Sequence, residues 1–369
     1  MGQATTVIGD LMPEPRQTAQ GTGRLANLTG RAGFMVQVLR RQAAHYQADQ
    51  GIVAWMRARR LAERYDVIVG RYLWAGVCAR AGIGPGRPVL LDFDDVDWMF
   101  QRTRQSVHSA TSSWAAHTWG HVRNWHLESI CRRVARSFDH VWVTSTEDLR
   151  MAAGATTWSV LPNIPFDADG AVRSQPPPSR ADSRTLLFVG RLSYSPNVYG
   201  IERFLERVWP AVRARQPAAG LRIVGTRLTE ARHAKWAAHP GVQVVGFVED
   251  LAREYADCAF TIAPVYWGGG TKIKVLDSLS RGRTCVATPH ALYGYGGVVS
   301  PGDCVWSAPT DAEFAAGCVA LLDDAPRRAA MEAKGAQTVA RYFNKDVFNQ
   351  AVAAALAQVE NNRKAGRKQ

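Results

Sequence analysis

The segment GGGTKIKVLDSL (268–279) combines the residue types that bind a phosphate group. Three consecutive glycines let backbone amides approach an anion without obstruction by side chains. A helical pattern follows, with Thr271 near its expected N-cap, and the N-terminus of a helix favours negatively charged groups. Lys272 lies in the expected first turn, within reach of the same anion. The segment therefore predicts a phosphate site at Gly268, Gly269, Gly270 and Thr271.

The helix after the glycines is predicted to be amphipathic. At ~100° per residue its residues divide into two sides, an apolar one with Ile273, Val275, Leu276 and Leu279, and a polar one with Lys274, Asp277 and Ser278. Lys274 and Asp277 are three residues apart, so they point the same way. A cation near a diphosphate, with a carboxylate one turn further on to accept two ribose hydroxyls, suits a nucleotide. The plain structural alternative is a flexible loop followed by a helix with one ion pair.

A repeated pattern of strand, glycine turn and helix surrounds this segment. Strands are expected at 186–191, 221–226, 242–248, 259–265, 283–289 and 303–308, with helices at 197–215, 229–238, 249–256, 310–323 and 325–342. Such alternation is typical of a parallel sheet with helices on both faces. Ligands of these sheets bind at the carboxyl ends of the strands. Those ends carry Gly190, Arg191, Gly225, Gly246 and the 268–270 glycines, and the Arg191 guanidinium can bind a phosphate through two hydrogen bonds.

The first half of the chain is also predicted to be α/β, with fewer strands. Strands are expected at 65–70, 89–93, 140–144 and 157–162, with a further candidate at 5–9, and the segments 24–64 and 102–138 have a helical pattern. The segment QPPPSRADS (175–183) is rich in Pro and Ser, which indicates a linker between two domains. An Ala-rich helix is expected at 346–360.

The second half resembles a known family over a series of motifs. These are GRL (190–192), IVGT (223–226), VVGFVED (244–250), IAPV (262–265), GGGTKIKVLDSLSRGRTCVAT (268–288) and GDCVW (302–306). In order and spacing they resemble the nucleotide-sugar domain of GT-B glycosyltransferases of the GT4 type, also called glycosyl transferases group 1. In the first half, VLPNIP (160–165), YDVIVGRYLWA (65–75) and PVLLDFDDVDW (88–98) resemble the interdomain strand and two strands beside the cleft of that family.

The resemblance implies a GT-B architecture, in which two Rossmann-like α/β domains face a cleft. We expect an acceptor-side domain at 1–166, a linker at 167–184, a nucleotide-sugar domain at 185–345, and a C-terminal helix and basic tail at 346–369. By analogy with the family, Arg191 and Lys272 or Lys274 neutralise the diphosphate and Asp277 holds the ribose. Gly190, Gly225, Phe247 and the 268–271 loop complete the expected donor site, and Arg191 and Lys274 are also the expected catalytic cations.

The chain departs from the family pattern in three places. Many members carry two glutamates at the positions that Gly269 and Asp277 occupy here, so the upstream carboxylate is missing. Many also carry a Lys shortly after the arginine, whereas SYSPNVYG (193–200) contains none. The family's first domain normally begins with several strands before the one resembling YDVIVG, which leaves open a first domain that lacks its N-terminal strand or strands.

A cluster of aspartates follows the strand at 89–93. Asp94 and Asp95 are the candidate catalytic acids, expected to face the cleft and to bind or act on acceptor hydroxyls. Two alternatives remain open. One is helix capping by these residues. The other is divalent metal binding by the D-x-D patterns, which is less favoured because the phosphate-binding elements lie in the other domain.

Composition limits the class of protein further. No apolar run approaches the ~20 residues that span a bilayer, the N-terminus lacks the pattern of a signal peptide, and the six scattered cysteines indicate buried thiols in a cytosolic protein. The net charge of +13 implies anionic partners. Arginines interleaved with tryptophans at 98–142 suit a membrane interface or ordinary helix packing, and no nucleic-acid motif is present.

We therefore expect transfer of a sugar from a UDP-, GDP- or other nucleoside diphosphate sugar to a hydroxyl acceptor. The resemblance implies retention of anomeric configuration, and no cofactor or metal is expected. The expected acceptor is a saccharide or lipid-linked saccharide in exopolysaccharide or envelope glycan synthesis. The expected location is cytoplasmic, with the basic surface favouring a peripheral position on the inner membrane face. An inactive or truncated sugar-nucleotide-binding relative and a GT-B sugar-nucleotide epimerase are the alternatives.

Overall fold

The computed structural model describes residues 28–44, 46–94, 97–108, 114–150, 157–165 and 178–366. These residues form two units. The first comprises the described residues within Met1–Phe93 and Ser113–Trp142, and the second those within Asp94–Ser112 and Val143–Gln369. The candidate strand at 5–9, Asp95 and most of the expected linker lie outside the described residues. Within the described part of the chain, no helix is both long enough and apolar enough to span a membrane.

The first half contributes a four-stranded sheet in the order β1-β2-β3-β4. Its strands are β1 (Ile68–Arg71), β2 (Val89–Phe93), β3 (His140–Val143) and β4 (Trp158–Val160). β1 and β2 run parallel, with Ile68 opposite Val89. The helices of the first half are α1 (Leu28–Ala44), α2 (Gln50–Ala58), α3 (Leu61–Arg64), α4 (Leu73–Ile83), α5 (Asp97–His108), α6 (Trp114–Ala135) and α7 (Thr146–Leu149). Of these, α5 and α7 belong to the second unit.

The second half contributes a six-stranded parallel sheet in the order β10-β9-β8-β5-β6-β7. Its strands are β5 (Thr185–Val189), β6 (Gly220–Val224), β7 (Val242–Gly246), β8 (Phe260–Ala263), β9 (Cys285–Ala287) and β10 (Trp306–Ser307). Buried apolar side chains of β5, β6 and β8 pack with those of the surrounding helices in one core. The order places β5 at the centre, so chain segments after β5, β6 and β8 meet at one edge.

The connecting helices of this sheet fill the predicted positions. They are α8 (Ser195–Arg203), which continues through a π-helical turn at Phe204–Val208 into α9 (Trp209–Arg215), then α10 (Glu230–Ala237), α11 (Leu251–Asp257), α12 (Ile273–Ser280), α13 (Asp311–Asp323), α14 (Ala325–Tyr342) and α15 (Lys345–Gly366). The side chain of Thr229 caps α10 by accepting from the amide of Arg232.

The fold expected from the sequence is confirmed: the chain is α/β, with two parallel sheets. All six cysteines are buried and none forms a disulfide. Helix α12 has Lys272 as its N-cap residue, next to Thr271. The expected division of its sides is wrong at two positions. Ile273 is exposed and Ser278 is fully buried, because the Ser278 hydroxyl donates to the carbonyl of Arg283 and shares a hydrogen bond with Thr261.

Candidate functional site

Turns after three neighbouring strands touch one another at the carboxyl edge of the second sheet. The amide of Gly190 donates to the carbonyl of Val224 at 3.1 Å, and the amide of Gly225 donates to that of Gly246 at 2.8 Å. A Cβ atom on Gly225 would lie 1.7 Å from the carbonyl oxygen of Gly190. Only glycine fits at this approach, which brings Gly190, Arg191 and Gly225 to one edge.

Lys274 is tied to the Arg191 turn through a residue that the sequence analysis did not single out. The Lys274 Nζ donates to Oδ1 of Asn197 at 2.9 Å. The Nδ2 of Asn197 in turn donates to the carbonyl of Arg191 at 3.0 Å. Asn197 is buried in the first turn of α8, so its amide holds the Lys274 ammonium and the Arg191 backbone in fixed positions. The Arg191 guanidinium is exposed and donates to Oγ of Ser193 at 3.2 Å.

The Lys274 ammonium sits in a poorly hydrated position. It lies 5.5 Å from the ring centre of Phe188. Burial lowers the pKa of Lys274 to about 8, while the thiol of Cys285 and the carboxyl of Asp277 act in the opposite direction. Desolvation disfavours the charged amine unless an anion is close. Lys274 is therefore a cation that an incoming anion would stabilise.

The loop of Gly268, Gly269 and Gly270 presents unpaired backbone donors. Among the described residues, the amides of Gly269, Gly270 and Thr271 have no hydrogen-bond partner. The Oγ1 of Thr271 is buried and likewise has no partner in the described part of the chain. Buried or clustered donors of this kind are usually satisfied by a ligand or water. Four donors without a partner among the described residues thus lie immediately before α12.

Lys272 sets the direction in which these amides point. Its Nζ lies 2.6 Å from the carbonyl oxygen of Gly269 and also donates to the carbonyl oxygen of Gly270. In a trans peptide the C=O and N–H groups point in opposite directions. The amides of Gly270 and Thr271 therefore point away from the Lys272 ammonium. In this structure Lys272 orients the loop. Contact of its ammonium with a phosphate, expected from the sequence, stays a prediction.

Both backbone polar groups of Gly268, its N–H and its C=O, lie within hydrogen-bonding distance of a side chain. Its amide donates to Oγ1 of Thr103 at 3.0 Å, and its carbonyl lies 3.1 Å from Nε2 of His290. Because a carbonyl only accepts, Nε2 of His290 carries the proton. Burial, followed by the charge of Lys272, lowers the pKa of His290 to about 4, so the ring is neutral at pH 7. The Gly268 amide is thus already paired, in contrast to those of Gly269 and Gly270.

Asp94 lies beside the glycine loop within the second unit. Its Oδ1 accepts from Nδ2 of Asn163 at 3.0 Å, and its carbonyl oxygen would lie 2.8 Å from a Cβ atom on Gly270, which has φ of 58°. Helix α5 follows, and Phe100 contacts the ring of Trp267 with ring centres 5.1 Å apart. The second candidate acid, Asp95, lies outside the described residues.

The two remaining candidates are Phe247 and Asp277. Phe247 follows β7 and is 71% exposed. Asp277 lies one turn after Lys274 on α12, partly exposed. No group of three or more His, Cys, Asp or Glu side chains suited to a metal ion occurs among the residues that the structure describes.

The match to a protein family agrees with this geometry. The model for "Glycosyl transferases group 1" matches residues 183–324, which include β5 through α13 and the whole glycine loop. A search of curated proteins found no match. The family match relates the segment 183–324 to that family.

Solved structures share the fold at low sequence identity. HepE from Anabaena, in complex with UDP and glucose, is 16% identical, with a TM-score of 0.59 over 91% of this chain and 84% of that chain. Sucrose-phosphate synthase from Thermosynechococcus elongatus is 18% identical, with a TM-score of 0.61 over 86% and 78%. TarM is 11% identical, with a TM-score of 0.61, and the match covers 78% of this chain and only 54% of TarM.

Replacement of Lys272 by Met should lower the free energy of unfolding by about 2 kcal/mol, because two charge-assisted hydrogen bonds to the loop carbonyls are lost. Urea denaturation followed by circular dichroism measures this. The matched control is Lys235→Met, which removes an exposed ion pair with Glu202 at 3.2 Å and should cost less than about 1 kcal/mol. Equal costs for the two variants would contradict an orienting role for Lys272.

Proposed function

We propose that this chain transfers a sugar from a nucleoside diphosphate sugar to a hydroxyl acceptor. The observation that carries the proposal is the set of donors of Gly269, Gly270 and Thr271 that have no partner among the described residues. They directly precede the helix that carries Lys274, which Asn197 joins to the Arg191 turn. Amides at a helix N-terminus and fixed cations are the groups that bind a pyrophosphate. UDP is the first nucleotide to test, since HepE is in complex with UDP and with UDP-glucose.

The chemical role of these groups is to stabilise the leaving group. In the reaction the bond between the anomeric carbon and the diphosphate oxygen breaks, and negative charge develops on that oxygen. Donors and cations held in place before the reaction stabilise such charge without reorganisation. In our proposal Arg191, Lys274 and the loop amides do this without a bound metal. Retention of configuration and a hexosyl donor remain part of the proposal on the strength of the family alone.

Other residues would bind the rest of the donor. Asp277 lies one turn beyond Lys274 on α12, where its carboxylate can accept hydroxyls of the ribose. Phe247, with Gly225 and Gly190, lines the part of the edge left for the nucleoside. Lys272 acts indirectly, by keeping the loop carbonyls turned away from the diphosphate.

The acceptor is proposed to be a saccharide, including a lipid-linked one. Asp94 is the candidate group for binding the acceptor hydroxyl or taking up its proton, since it lies beside Gly270. A basic chain with charge +13 suits work at an anionic membrane surface. We propose a cytoplasmic, membrane-peripheral enzyme of exopolysaccharide or envelope glycan synthesis.

Replacement of Arg191 by Ala, or of Lys274 by Ala, should lower kcat by about 100-fold, because each removes a donor that stabilises the departing diphosphate. The assay measures release of nucleoside diphosphate from UDP-, GDP- and ADP-sugars in the presence of saccharide acceptors. Arg253→Ala is the control, since Arg253 is an exposed arginine in the same unit. Turnover within about twofold of wild type for both site variants would rule out the proposed role. Nucleotide binding without turnover in the wild type would favour an inactive relative.

The affinity for a nucleoside diphosphate should fall as pH rises past 8. Free Lys274 has a pKa of about 8 because burial disfavours its charge. A bound diphosphate favours the ammonium and raises this pKa, so binding takes up a proton above pH 8 and weakens as that proton becomes scarce. Calorimetry from pH 7 to pH 9.5 measures this. Lys274→Met should bind more weakly at pH 7 and lack the decline, and an unchanged decline in this variant would assign it to another group.

A further inference from the structure

Helix α6 exposes large apolar side chains to solvent. Trp114 is 82% exposed, Trp125 71% and Val122 44%. These residues lie on the face roughly opposite the side of α6 that is buried in the first unit, which consists of Gly120, Asn124, Leu127, Cys131 and Ala135. Packing in the first unit therefore accounts for the apolar residues on only one side of α6. The buried tryptophans of the same region, Trp98 and Trp142, belong to the core.

Helix α1 extends this exposed surface. It packs against α6 in the first unit, where Nε2 of His126 lies 3.3 Å from the carbonyl oxygen of Leu39. Met35 and Val36, one turn before Leu39, are 40% and 48% exposed. We call the surface formed by Trp114, Val122, Trp125, Met35 and Val36 the α1–α6 face.

The surroundings of the α1–α6 face are basic. Helix α1 contains no acidic residue, and its Arg40 and Arg41 are exposed. Helix α6 contains Arg123, Arg132 and Arg133, and its single acidic residue is Glu128. Glu128 is engaged by Arg132, whose Nη2 lies 2.7 Å from Oε1. The arginines therefore leave a clear excess of positive charge on the two helices.

This combination of chemistry fits one kind of partner. Tryptophan prefers the boundary between acyl chains and headgroups, and arginines beside it attract anionic headgroups. A second copy of the chain would bring like charges together, which opposes self-association through this face. We propose that the α1–α6 face is the surface by which the protein binds an anionic lipid bilayer.

Binding through the α1–α6 face specifies how the proposed membrane-peripheral location is achieved. Only the biological role of this binding, not the binding itself, rests on the proposed function. A face that holds the first unit at the bilayer would keep the enzyme near a lipid-linked acceptor. Binding to lipid itself requires no donor and no turnover. The two proposals can therefore fail independently.

The test is sedimentation of the full chain with phosphatidylcholine vesicles that contain 0 to about 40% phosphatidylglycerol, at low and high salt. Wild type should bind in proportion to the anionic lipid, and salt should release it. The double variants Trp114→Ser with Trp125→Ser, and Arg40→Glu with Arg41→Glu, should each lower the partition coefficient at least about tenfold. The controls are Leu356→Ser, an exposed apolar residue on α15, and Arg253→Glu, both of which should bind as wild type.

Three results would overturn the proposal. They are absence of binding by wild type, equal binding by wild type and both double variants, and a dimer in analytical ultracentrifugation that only the tryptophan variant loses. The last would make the α1–α6 face a self-association surface. Circular dichroism confirms that the variants fold. Both double variants should transfer sugar to a soluble saccharide acceptor at the wild-type rate. If wild type and variants all bind lipid as predicted but none transfers sugar, the result would count against the proposed function alone.

Discussion

The proposed diphosphate site depends on the direction of two peptide groups in the glycine loop. The Lys272 ammonium binds the carbonyl oxygens of Gly269 and Gly270 on one side of the loop. The following N–H groups must then face the other side, where no residue of the described part of the chain accepts from them. An interior glycine could turn its peptide either way at little cost. A single lysine therefore converts a permissive loop into a set of donors with a common direction.

The cations near these donors are organised in the same manner. Asn197 bridges the Lys274 ammonium and the backbone of Arg191, so both sides of the edge are fixed before any ligand arrives. Burial of Lys274 is unfavourable for its charge in the free protein, and an anion in the loop would remove that penalty. The buried Lys274 ammonium is destabilised in the free protein, and this favours binding of an anion that would stabilise it. The neutral His290 ring donates to the Gly268 carbonyl without adding another charge beside these cations.

The sequence was sufficient for the order of elements, because the strands of the second sheet are short apolar runs that alternate with helical patterns, and β5, β6 and β7 end at or directly before glycine. It also placed Gly190, Gly225 and Gly268 at the edge, since strand order in such sheets brings those ends together. It failed where the outcome depends on contacts between distant residues. Ser278 is buried because Thr261 and the backbone near Arg283 satisfy its hydroxyl, and Thr103 reaches Gly268 across 165 positions of sequence. Asn197 had a usable signal, as a polar residue expected at the start of a helix shortly after Arg191.

The most direct measurement is hydrogen–deuterium exchange, by mass spectrometry, of the peptide covering 268–277 with and without a saturating nucleoside diphosphate. The account predicts that exchange of the Gly269, Gly270 and Thr271 amides slows when the nucleotide binds, since these N–H groups then donate to phosphate oxygens. Nucleotide binding detected by calorimetry with unchanged exchange in this peptide would place the diphosphate elsewhere. Absence of binding by uridine, guanosine and adenosine diphosphates alike would contradict the account as a whole.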